Sequence, residues 1–183
     1  MTQFNDFQQI KRQLYAMRNG ITADALRRAG SPHRLIFGVN IPQLADIAAT
    51  IPADADMARR LWQDTALRES MLLAPMIYPP QEMTIEEARQ WVTSVSGTEC
   101  ADILCHKLLR KLPFAFELAM ECSRSQEPLQ RYIALRILWH FINNSPGEIK
   151  TVAEAELLRN DPMTQRLARQ TIDEITFCSI FRS

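Results

Sequence analysis

The sequence predicts an all-α fold, a superhelix of stacked antiparallel helical hairpins of the α-α solenoid kind, and three observations carry that prediction. Apolar residues recur at spacings of three and four along most of the chain, the period that lines one face of a helix. No segment sustains the period-two alternation that a half-buried strand requires. Four segments of similar pattern, LRESMLLAPMI, ECADILCHKLLRKL, LQRYIALRILWHF and TQRLARQTIDEI, begin at residues 67, 99, 129 and 164, in steps of 32, 30 and 35. Each follows a shorter helical segment, as expected of hairpins that bury their apolar faces only against neighbours. In such stacks the second helices line one concave surface.

Taken in order, FNDFQQIKRQLYAMRN reads as a first helix ending near Gly20, and residues 21–29 as a short second one. GSPHRLIFGVN is a loop carrying Gly30, Pro32 and Gly38. Pro42 suits the first turn of a helix running through Ile51, because proline lacks only an N–H that has no partner there. Further helices are predicted over 54–64, 66–78, 84–95, 98–112, 114–124, 127–143, 148–159 and 162–177. The breaks fall at Pro79-Pro80, Gly97, Pro113, Pro128 and NNSPGE. With 183 residues the chain reads as a single domain spanning 1–183.

Composition narrows the function classes. Lys+Arg and Asp+Glu balance at 21 each, so bulk charge argues for neither nucleic acid nor membrane, and any anionic partner must be met by a local patch. Such a patch is visible. Residues 103–142 hold six basic side chains, Lys107, Arg110, Lys111, Arg124, Arg131 and Arg136, against Glu117, Glu121 and Glu127. Residues 40–65 reverse the balance, with Asp46, Asp54, Asp56 and Asp64 against two arginines. No apolar run approaches the ~18 residues of a membrane span. Cys100, Cys105, Cys122 and Cys178 sit among apolar neighbours without Cys-x-x-Cys spacing. They read as buried free thiols in a reducing, cytoplasmic setting.

Two polar features stand out. In the helix predicted over 98–112, the apolar stripe is Ala101, Leu104, Cys105, Leu108 and Leu112, and the opposite stripe is Glu99, Asp102, His106 and Arg110. That stripe is either a solvated face of pairs three and four apart or a carboxylate presented to something cationic. A metal shell around Glu99, Asp102 and His106 lacks its remaining ligands, so no metal is expected. Arg131 shares its face with Pro128, Ala134, Leu135, Leu138 and Ile142, while Arg136, His140 and Asn144 form an opposite, more polar side. A guanidinium among apolar side chains requires a partner. The expected one is Asp102 on the preceding second helix, or else a phosphate from outside. Trp62, Trp91 and Trp139 lie at helical spacing among apolar residues and are expected in the core, together with most methionines.

Several stretches in fixed order resemble the bacterial DNA alkylation repair family of HEAT-like proteins, the AlkD-like glycosylases. They are IFGVNIPQLADIA (36–48), ARRLWQDTALRESMLLAPMI, and the run from Trp91 to Trp139 with its Asp-bearing helix, Pro-Phe-Ala loop and Arg-bearing helix. The resemblance covers about 25–177. It implies a HEAT-like superhelix with a concave basic surface for alkylated duplex DNA, and excision of N3- and N7-alkylated purines without a cofactor. By position it makes Asp102 the carboxylate beside the glycosidic bond, and Arg131 a phosphate-binding or active-site arginine. Lys107, Arg110, Lys111 and Arg136 become backbone contacts, and Thr98 a polar contact. Departures are equally specific. Thr98 and Gln170 stand where the family has tryptophans, Ala29 where an aromatic is expected, and Asp173 where an arginine is expected. Two readings stay open: a glycosylase, or a non-catalytic HEAT-like module for nucleic acid or a protein partner, in which Asp102 and Arg131 form an internal bridge.

Overall fold

The computed structural model describes residues 6–180, and every regular element among them is helical. The expected start of the first helix at residues 4 and 5 lies outside the described residues. The chain gathers into two compact units, one up to Met83 and one from Thr84 onward.

The first unit contains α1 (Asp6–Ala16), α2 (Gly20–Arg28), α3 (Ile41–Thr50), α4 (Ala55–Gln63) and α5 (Arg68–Ile77). Local chemistry places their starts. The Asn19 side chain accepts from the Thr22 N–H, and the Asp54 side chain accepts from the Met57 N–H. Asn40 and Gln43 form a reciprocal capping box at the head of α3, with Pro42 in its first turn. Helices α4 and α5 pack against each other, and α3 packs on α5. Met71, Leu72, Leu73 and Ala74 are wholly buried, so α5 is the axis of this unit. Burial of each large side chain contributes roughly 1.5–3 kcal/mol.

Burial of α5 also encloses Arg68 and Glu69, and the Phe-Gly-Val loop closes over them. Glu69 accepts backbone N–H bonds from Phe37 (3.0 Å), Gly38 (2.9 Å) and Val39 (3.3 Å). Arg68 donates to Glu69 (2.8 Å) and to the Val39 carbonyl (3.0 Å), so both buried charges are paired and hydrogen-bonded. Gly38 has φ +80°, and a Cβ there would meet the Asn19 carbonyl oxygen at 2.2 Å.

The second unit contains α6 (Ile85–Ser94), α7 (Thr98–Lys107), α8 (Ala115–Cys122), α9 (Pro128–Leu138), α10 (Pro146–Arg159) and α11 (Gln165–Ile180). The Thr84 side chain caps α6 by accepting from the Glu87 N–H. Helices α8 and α9, α10 and α11, and α7 and α9 are packed neighbours. The expected helix 98–112 is interrupted. Leu108 (φ −126°, ψ −66°) ends α7, and a 3₁₀ turn follows over Leu109–Lys111. Leu108 and Leu109 are both fully buried, and the break is what turns adjacent leucines inward together. The expected helix 127–143 likewise passes at Trp139 into a 3₁₀ turn, Trp139–Phe141. Asn160 closes α10 in the left-handed region (φ 54°, ψ 37°), which asparagine tolerates well.

Cys100, Cys105 and Cys122 are buried and Cys178 half-buried, all as free thiols. No helix among the described residues is long and apolar enough to cross a membrane.

Candidate nucleic-acid interface

Helices α7 and α9 pack against each other and carry the two polar features read from the sequence. The apolar stripe of α7 is buried as expected, which leaves Asp102 on its outer side. Asp102 does not meet Arg131. Its Oδ1 lies 2.7 Å from Nε of Arg136 and accepts the Tyr132 hydroxyl at 2.8 Å. Both contacts fall on the same oxygen. The side chains of Arg136 and Asp102 are 36% and 37% exposed, so the pair stands at the surface. Burial, and then the hydrogen bond to Asp102, push the Tyr132 phenol up to about 12, so it remains a donor.

The expected Asp102–Arg131 bridge is therefore corrected, because Arg131 takes its carboxylate partners from α10 and the turn that follows it. Arg131 is buried, and its Nε donates to Glu156 Oε1 (2.9 Å) and Oε2 (3.1 Å). Nη1 donates to the carbonyls of Ser125 (3.1 Å) and Gln126 (2.6 Å), and Nη2 to Asp161 (2.8 Å). The Thr164 hydroxyl donates to Glu156 at 2.6 Å. This network ties α9 to α10 and to the turn before α11. Five residues on one helix rotate a side chain by about 140°, so Arg131 and Arg136 point to different sides, and Arg136 is the arginine that reaches Asp102.

The other expected cations gather around two imidazoles. The rings of His106 and His140 are 6.3 Å apart. Burial, and then Arg110, Lys107, Arg136 and Lys111, hold His106 below its ordinary 6.5. Burial, and then Arg110, His106 and Arg136, do the same for His140. Lys111 is itself depressed, by burial and then by Arg110 and Lys107. Lys107, Arg110, Lys111 and Arg136 thus act on one small region, a ridge across the end of α7, the following turn and α9. Thr98, the first residue of α7, is exposed one turn before Asp102.

Beside Arg136 lies a cavity of about 570 Å³, lined also by Trp139, Leu167, Gln170, Asp173, Glu174 and Phe177. Trp62 and Trp91 are core residues as expected, but Trp139 is not fully buried and faces this cavity. Trp139 follows Arg136 by three residues with α-helical dihedrals (φ −49°, ψ −37°), so the helical period itself puts the two on one face. Phe177, Glu174 and Tyr132 were also not anticipated. Gln170 and Asp173, noted in the sequence as departures, lie three residues apart on α11 and line the same cavity from one side. Arg136 and Trp139 form one side, and α11 brings two acids, Asp173 and Glu174, and a second aromatic ring, Phe177, to the other. No group of three His, Cys, Asp or Glu side chains that would hold a metal occurs among the described residues.

Against known proteins, the model of a family described as "DNA alkylation repair enzyme" matches residues 10–167. A solved structure is similar over 90% of this chain and 73% of its own, with a TM-score of 0.79 at 18% identity. It is described as representing "a new family of proteins related to the HEAT-like repeat DNA glycosylases with affinity for branched DNA structures". That likeness establishes the HEAT-like helical fold. No curated protein sequence matches the chain.

Proposed function

The chain belongs to the DNA alkylation repair enzyme family, and on that premise we propose that it is a DNA-binding protein that grips the phosphate backbone with Lys107, Arg110, Lys111 and Arg136 and favours branched DNA. One observation carries this reading: Arg110, Lys107, Arg136 and Lys111 all act on His106, Arg110 and Arg136 act also on His140, and the nearby Asp102 is paired with Arg136. Clustered guanidinium and ammonium groups are what a polyanion selects, since each phosphate neutralised releases condensed counterions. The preference for branched DNA is carried over from the related structure described above. Asp102 within an ion pair presents no net negative charge to a developing oxocarbenium ion. Thr98 and Gln170 supply no aromatic wall, and Asp173 repels phosphate rather than holding it.

A second reading, excision of alkylated purines, is favoured by a different observation. Arg136 and Tyr132 both hold Oδ1 of Asp102. A carboxylate anchored by one oxygen beside an aromatic-lined cavity has the form needed to stabilise positive charge at C1′.

Two measurements decide between them. Binding of a four-way junction and of a linear duplex of equal length is followed by anisotropy across a salt series. Release of 7-methylguanine and 3-methyladenine from methylated duplex is assayed with the wild type and Asp102→Asn. Tighter, steeply salt-dependent junction binding without base release supports the first reading. Release that Asp102→Asn abolishes establishes the second. No binding to either DNA removes both.

A further inference from the structure

The most lopsided charge on this chain is not on the ridge. Residues 11–34 contain Lys11, Arg12, Arg18, Arg27, Arg28 and Arg34 against a single acid, Asp24. Lys11 pairs with Asp64 from outside the segment (2.9 Å). Arg12, Arg18, Arg27, Arg28 and Arg34 are exposed. The segment runs through α1, the short turn after it, and α2, in the other compact unit from the ridge; this helix–turn–helix stretch is termed the hairpin.

This hairpin also has a cavity, of about 520 Å³, with Arg18 and Arg27 on its wall beside Gly20, Ala23 and Phe37. Both guanidinium groups are held. Arg27 donates to Asp24 (2.7 Å) and to the Ile36 carbonyl (3.3 Å). Arg18 donates to the Tyr15 carbonyl (3.2 Å) and lies 4.2 Å over the Tyr15 ring. Tyr15 in turn meets Phe37 edge-to-face at 5.5 Å, yet remains 52% exposed. Ile21, in the first turn of α2, is 83% exposed. Guanidiniums held in place, one of them by an aromatic ring, form a surface that can track a phosphodiester backbone.

We infer that the α1–α2 segment is a second DNA-backbone-binding surface, centred on the Arg18–Arg27 cavity, with Arg28 next along the same helix and Tyr15 holding the Arg18 guanidinium in place. The inference rests on the DNA-binding reading given above and adds a surface that the ridge does not include. A protein with basic surfaces on two units engages more phosphates than either surface alone, which suits DNA in which several backbones meet.

The experiment is the salt dependence of four-way junction binding by the full chain. It compares the wild type, Arg18→Gln with Arg28→Gln, Arg18→Lys, and the ridge variant Lys107→Gln with Lys111→Gln. Arg18 and Arg28 are exposed, and an unchanged thermal midpoint confirms that their variants fold. Each lost phosphate contact lowers the slope of log K against log salt by about one. The hairpin double variant is therefore expected to lose about two units of slope, and Arg18→Lys to retain the wild-type slope with weaker binding. A wild-type slope in the hairpin variant overturns this inference and leaves the ridge standing. A wild-type slope in the ridge variant alone overturns the ridge and leaves the hairpin. Absence of junction binding by the wild type overturns both, and binding of anionic vesicles in place of DNA would reassign the hairpin to a lipid surface.

Discussion

Nε of Arg136 lies 2.7 Å from Oδ1 of Asp102, and this pair rather than any contact of Arg131 defines the α7–α9 surface. Both side chains are more than a third exposed. Exposed pairs of this kind contribute about 0–1 kcal/mol. Asp102→Asn is therefore expected to fold normally, with its thermal midpoint within about 4 °C of the wild type. Removing the negative charge beside Arg136 strengthens DNA binding by up to about fivefold, the effect of ~1 kcal/mol between charges in water. Calorimetry and anisotropy on one preparation check both outcomes, and weakened binding by a folded variant would contradict the assignment of Arg136 to phosphate.

Arg131 behaves oppositely. Arg131→Ala removes the guanidinium that pairs Asp161 and leaves the buried Glu156 with only the longer Arg159 contact (3.6 Å), and breaking a buried pair from one side costs about 3–5 kcal/mol. The thermal midpoint is expected to fall by roughly 6–20 °C. Arg131→Lys is also destabilising, because one ammonium does not reach two carboxylates and two carbonyls in the geometry of the guanidinium fork. At temperatures where the variants remain folded, DNA affinity stays at the wild-type value. A selective loss of affinity without loss of stability would place Arg131 at the site.

Two glycines separate strain from collision. Gly30 (φ +84°) has nothing within 4 Å of a built Cβ, so Gly30→Ala carries only the left-handed backbone penalty, about 1–2 kcal/mol. Gly38 (φ +80°) adds backbone atoms of Asn19 and Ala23 at 2.2 and 2.7 Å, which have no rotamer by which to withdraw. Gly38→Ala is expected to be clearly the more destabilising in urea titration, and to disturb the three loop N–H groups that Glu69 holds. Equal effects of the two substitutions would show that the loop gives way.

The histidine pair gives DNA binding a pH dependence of defined sign. His106 and His140 are held below 6.5 in the free protein, by burial first and then by Arg110 among other cations. The unfolded chain then binds more protons near that pH, so these rings contribute stability above 6.5 that is lost as pH falls through their depressed values. Phosphates on the ridge offset the cationic field and raise both values, so binding takes up protons. Affinity is expected to rise from about pH 7.5 to about pH 5.5, and His106→Gln with His140→Gln flattens the profile. A pH-independent wild-type affinity would count against the ridge as the contact surface.

What the sequence determined by itself was local. Helix positions followed from periodicity, from Pro42 in the first turn of its helix and from breaks such as Pro79-Pro80, Gly97 and Pro113. The inward stripe Ala101, Leu104, Cys105, Leu108 and Leu112 followed from the same period, as did the clustering of Lys107, Arg110 and Lys111. The tertiary structure decided which partner each polar group takes. Arg131 finds carboxylates 25 and 30 residues further along the chain, and Asp102 finds Arg136 and Tyr132 instead. Spacing tells which residues share a face. Which helix stands opposite that face, and so which cavity Trp139 meets, is set by how buried side chains pack across the whole unit.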